Sequence, residues 1–183
     1  MLHPPAGAHF EIIKMNKKQF LTGVLGRLRN DVGTYLDFVT QRNSEMAEGV
    51  GFWGSIRLLM PVIEAVANAY KQTPESLLGN ELGVATPSLA WILYRHSLAH
   101  NDLLQHGQYD GVSASWGVSM LGMNHIMRSG IVSIDTLKLY GDFVAFLERE
   151  IAATNGVDEV EIIQGVVWDN PGQSIKDEFA ELA

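Results

Sequence analysis

The chain contains no cysteine. A disulfide scaffold, a cysteine-based zinc site and a cysteine nucleophile are therefore excluded. The absence of cysteine is compatible with a cytoplasmic setting, where thiols stay reduced. Basic residues are scarce as well: 13 against 21 acidic, a net charge of −8. Binding over a broad nucleic-acid surface rests on neutralising many phosphates, so this balance argues against it, though not against a local basic cleft. Long uninterrupted apolar runs are missing too. The most apolar window, "GVGFWGSIRLLMPVIEAVANAY", carries Arg57, Pro61 and Glu64, which marks it as a core helix and not a membrane span. The opening "MLHPPAGAHF" has prolines where a signal peptide would have its apolar region. No Walker lysine loop or GxSxG elbow occurs, so P-loop phosphate binding and acyl-transfer chemistries lack a motif.

What remains is a chain of 183 residues, 46% hydrophobic and 19% charged, enough to bury the core of one domain. The first fifteen residues show no clear period and read as an extended lead-in. From Leu21 the apolar residues Val24, Leu25, Leu28, Val32, Tyr35, Leu36 and Val39 follow helical spacing. "RNSEMAEGVGFWG" breaks this helix. A second runs from about Trp53 to Lys71 and is expected to kink at Pro61. "TPESLLGNELG" and "TPSLAWILYRHSLAH" both open with a capping threonine and a first-turn proline, Thr73-Pro74 and Thr86-Pro87. Alternation over residues 112–120 predicts a half-buried strand, and "GMNHIMRSG" is ambiguous. A long helix beginning at Ser133 or Asp135 is followed by a strand from Glu159 to Trp168, bulged at Gly165. The tail reads as frayed or as a short terminal helix. With no repeat and no linker, the expectation is one mainly α domain over 1–183. Its core of four or five helices spans about 17–153, with a small accessory two-stranded β element whose strands pair within or across chains.

The stretch "YRHSLAHND" sets Arg95, His96, His100, Asn101 and Asp102 at the end of an apolar helix. His96 and His100, four apart, share a helical face. Arg95 and His100, five apart, stand roughly 140° apart around an ideal helix. They reach one ligand only if the helix ends or distorts nearby, or if a second molecule completes the site. Three other readings stand beside a functional one. The residues are an ordinary polar helix end favoured by the dipole. Arg95 pairs with Asp102 on one face. Or His96 and His100, with Asp102 or His106, hold a zinc ion.

The segment Arg95-His96-Ser97-Leu98-Ala99-His100 resembles the motif of the HEPN superfamily, an arginine, a polar residue, three further positions and a histidine. That resemblance covers six residues. It implies a HEPN-like helical bundle and a metal-independent endoribonuclease without cofactors, often a toxin or defence factor countered by an antitoxin or regulatory protein. It also implies a homodimer whose two motifs face one cleft on the RNA. Some relatives are inactive binding or assembly modules, and this is the alternative. The chemistry suits the residue types. His100 serves as general acid/base near neutral pH. Arg95 holds the phosphate with a planar fork that stays charged. His96 orients Arg95 or the substrate, and Asn101 and Asp102 support the site. Arg57, seven residues before Glu64 on one helical face, either belongs to a solvent-facing pair or adds positive charge to the same cleft.

Overall fold

The computed structural model describes residues 4–46, 52–96, 106–119, 127–128, 131–173, 176–177 and 180. Strand β1 (Ala8–Asn16) leads into helix α1 (Lys17–Arg27), where the Asn16 side chain accepts the Gln19 amide as an N-cap. The helix runs on through a π-helical turn, Leu28–Gly33, into α2 (Thr34–Met46). Helix α3 (Phe52–Ala69) continues through Pro61, and Lys71 just beyond it adopts a positive φ of 54°. The short α4 (Pro74–Ser76) is capped by the Thr73 hydroxyl and passes into a π-helical turn, Leu77–Glu81. Helix α5 (Pro87–Ala90) likewise continues as a π-helical run, Trp91–His96; the expected Thr86 cap makes no side-chain bond.

Among the described residues further elements follow. They are β2 (His106–Tyr109), β3 (Val112–Ser119), β4 (Met127–Arg128), β5 (Ile131–Asp135) and helix α6 (Thr136–Ala153), capped by Asp135, which accepts the Lys138 amide. Strand β6 (Glu159–Trp168) comes last.

The expectation of a mainly α, HEPN-like bundle is corrected: the architecture is mixed α and β. The described residues form two sheets. The extended lead-in is a full strand, β1, which pairs antiparallel with β6 along its whole length from Ala8↔Trp168 to Asn16↔Glu159. The register shifts between Glu11 and Ile12, so Gln164, beside the glycine where a bulge was expected, is the extra residue. The strand over 112–119 is not the partner of β6. It belongs to a four-stranded sheet of order β2-β3-β5-β4, in which β3 and β5 run parallel. The β2–β3 connection is Asp110-Gly111, both at positive φ (47° and 73°), the two-residue turn that suits a twisted hairpin.

The core lies where α1, α2, α3 and α6 meet. Leu21, Leu28, Leu36, Ile56, Ile63 and Phe143 are fully or almost fully buried there. The ribbon β1–β6 closes one side through Val160, Met15 and Ile162, and the second sheet closes another through Ile134 and Val118. One polar cluster ties three helices together. The Glu150 carboxylate on α6 accepts from Lys17 Nζ (3.1 Å) and from the Tyr70 hydroxyl (2.8 Å), and the Lys17 ammonium sits 4.5 Å from the centre of the Tyr70 ring. Burial pushes the Glu150 carboxyl up, but these hydrogen bonds and the charges of Lys17 and Arg149 outweigh it and hold the group below its ordinary value.

Candidate functional site

Arg95 and His96 close the π-helical run Trp91–His96. Its opening follows from composition. Ala90, Trp91, Leu93 and Tyr94 are buried, so this face of the run is held against the core, while Leu89 and Ile92 point outward. Tyr94 fixes the end. Its side chain has no exposed surface, and its hydroxyl donates to the Gly117 carbonyl of β3 and accepts the Ile134 amide of β5 (3.1 Å). The two strands are adjacent and parallel, so one phenol bridges both. Burial raises the Tyr94 pKa well above that of a free phenol. The group stays neutral at physiological pH and acts as a clamp rather than as an acid or base. Arg95 therefore lies in the π-helical run one residue after a point pinned on two strands. Sequence reasoning treated Tyr94 as flanking context. The signal was its place in the apolar spacing Ala90, Leu93, Tyr94.

In a π-helix the hydrogen bonds run from residue i to i+5, and such turns recur at functional sites. The angle of roughly 140° between Arg95 and His100 assumes an α-helix. That premise does not hold at Arg95 itself, where the backbone is already π-wound.

The side chains of Arg95 and His96 lie outside the described residues, as do His100, Asn101 and Asp102. Arg57 is on the exposed side of α3, in the turn before Pro61. Among the described residues no group of three His, Asp or Glu side chains could hold a metal. The zinc set of His96, His100 and Asp102 falls outside them.

A cavity of about 770 Å³ opens elsewhere, between α1, α3 and the inner half of the ribbon, lined by Ile12, Phe20, Gly23, Arg27, Ala65 and Ile163 among others. A second, of about 310 Å³, shares Phe20, Arg27 and Ala65 and extends along the same helices past Leu58 and Val62 to Val32. No helix among the described residues is long and apolar enough to cross a membrane.

Compared with known proteins, the chain matches no family model, no curated protein and no solved structure.

Proposed function

We propose that the chain is a metal-independent endoribonuclease that works through Arg95 and His100. The observation that carries this reading is the composition and setting of "RHSLAH": a phosphate-binding cation and two imidazoles follow directly on Tyr94, a residue clamped to two strands. Since the architecture is mixed α and β, the reading rests on this segment and not on a helical bundle. In the reaction His100 takes the proton of a ribose 2′-hydroxyl, whose oxygen attacks the adjacent phosphorus. The bond to the 5′-oxygen breaks, that oxygen receives a proton, and a 2′,3′-cyclic phosphate is left. Arg95 stabilises the charge on the phosphate as it builds. His96 orients Arg95, Asn101 and Asp102 support the imidazole, and Arg57 adds positive potential. The same reading takes the working unit as a homodimer in the cytoplasm, held in check by an antitoxin or regulatory protein.

The test is cleavage of a panel of RNAs in excess EDTA, with product ends identified. Wild type is expected to leave 2′,3′-cyclic phosphates and to spare a strand with 2′-deoxyribose at the cut. His100→Ala should lose about 10²–10⁴-fold in rate, the usual share of general acid–base catalysis. Equal cleavage by both proteins, or none by wild type over the whole panel, overturns the proposal.

The open apolar cavities along α1 and α3 favour a second reading, a binding or assembly module that acts without turnover. On that reading Arg95→Ala alters partner binding or stability and no RNA product forms.

A further inference from the structure

The two cavities form one groove. They share Phe20, Arg27 and Ala65, and together they follow α1 and its π-helical continuation from Gln19 to Val32. Those fourteen residues span roughly 20 Å at the helical rise. The floor is apolar and its edge leaves large side chains in water: Ile12 is 60% exposed, Ile163 40% and Leu58 39%. Ile12 and Ile163 are direct cross-strand partners, so they present a single patch at the mouth. A groove of this length between two helices is the geometry that receives an amphipathic helix.

Two features say what kind of helix. Gly23 and Ala65 keep the floor low, and a Cβ built on Gly23 meets nothing within 4 Å. A glycine inside α1 costs about 1 kcal/mol relative to alanine, so space rather than helix stability is served there. Arg27 stands on the rim at the junction of the two cavities, exposed and without an ion-pair partner among the described residues, with Asp31 one turn beyond. A helix lying here needs an apolar stripe with a carboxylate flank.

The chain carries such a segment. In "QSIKDEFAELA", residues 173–183, Ile175, Phe179 and Leu182 fall at the spacing of one helical stripe, and Asp177, Glu178 and Glu181 gather on one flank of it. Its eleven residues measure roughly 16 Å as a helix, which fits within the groove. Gln173, Lys176, Asp177 and Ala180 are helical and exposed, and no described residue of the segment lines the groove of its own chain. The segment starts at the outer tip of the ribbon, where Asn170 donates its amide to the Gly7 carbonyl. Trp168 at that tip is five residues along β6 from Ile163 at the groove mouth, roughly 17 Å. The tail thus begins at the far end of the ribbon from the groove mouth.

We propose that residues 173–183 of one chain dock in the α1–α3 groove of a second copy, with Ile175, Phe179 and Leu182 on the apolar floor and the acidic flank against Arg27. This assembly is independent of the ribonuclease reading and stands or falls separately.

The test uses a chain ending at Gly172 and a fluorescent peptide of residues 171–183. The peptide is expected to bind the shortened chain, and the full chain to self-associate where the shortened one does not. Arg27→Glu should weaken peptide binding about tenfold, since it turns an attraction into a repulsion. Gly23→Leu should abolish binding by filling the floor, with thermal unfolding unchanged or raised, because its Cβ enters open space. Absence of peptide binding, or binding that both substitutions leave intact, overturns the groove as the site. A full chain that stays monomeric while the shortened chain binds the peptide overturns the second copy as the source.

Discussion

The Tyr94 hydroxyl accepts the amide of Ile134 at 3.1 Å and donates to the carbonyl of Gly117. One atom thereby satisfies a donor on β5 and an acceptor on β3, forty and twenty-three residues further along the chain. The contact joins the helical run that ends in Arg95 and His96 to the sheet that follows it.

Tyr94→Phe keeps the ring and removes both bonds. It leaves the buried Ile134 amide and the half-buried Gly117 carbonyl with one partner fewer. A loss of about 1–3 kcal/mol is expected in urea unfolding, the usual cost of an orphaned buried polar group. If the clamp also positions Arg95, RNA cleavage by the folded variant drops more than its unfolded fraction explains. Unchanged urea midpoints show that the clamp contributes nothing to stability.

The Glu150 cluster makes a pH-dependent contribution. The folded-state pKa is held below the ordinary carboxylate value, so the unfolded chain binds the proton more readily. The stability gained is present above the unfolded pKa and is lost as pH falls through the folded one. Glu150→Gln is therefore expected to be less stable than wild type at neutral pH. The difference should shrink as pH drops below about 4, the ordinary range of a glutamate. A constant difference across that window, measured by denaturant melts at several pH values, removes Glu150 as the cause.

Much of this organisation was legible in the sequence, for identifiable reasons. The stripes of α1, α2 and α6 and the caps at Thr73 and Asp135 are local signals, carried within a few residues. Strand β1 was not legible. Phe10 and Ile12 fall on one face and Ile13 and Met15 on the other, so polar and apolar residues do not alternate cleanly, and the partner strand lies about 150 residues away. The Asp110-Gly111 dipeptide is itself a hairpin signal, but β2 before it, "HGQY", is too short for a period to show, and the helix expected from Ser133 or Asp135 overlaps β5. At the motif, the residue types were visible but the π winding was not, since no side-chain pattern in Trp91–His96 distinguishes i+5 from i+4 bonding.

Gly33 sits where the π-helical turn after α1 meets α6. A Cβ built there lies 2.6 Å from the Tyr140 hydroxyl and 3.4 Å from the ring carbon that bears it. Gly33→Ala alone should destabilise by about 1–3 kcal/mol, as overpacking does. In a Tyr140→Phe background the closest atom is gone, and the better helix propensity of alanine is expected to reverse the sign, to a gain of about 0.5–1 kcal/mol. The double-mutant cycle by chemical denaturation reads this coupling directly. Additive effects of the two substitutions would mean that the hydroxyl is not what limits the position.

Pro61 lies inside α3 with an exposed ring, and its ring nitrogen has no hydrogen to donate into the preceding turn. Interior proline costs a helix about 3 kcal/mol, offset by the roughly 1 kcal/mol it removes from the entropy of the unfolded chain. Pro61→Ala is accordingly expected to raise stability by about 2 kcal/mol in urea unfolding. Pro61 also lines the far half of the α1–α3 groove. The ring is itself part of the wall, so the same variant should bind the 171–183 peptide more weakly while being more stable. Stability and binding moving in opposite directions separates groove shape from folding; a variant that gains stability and binds equally well shows that the Pro61 ring does not shape the groove.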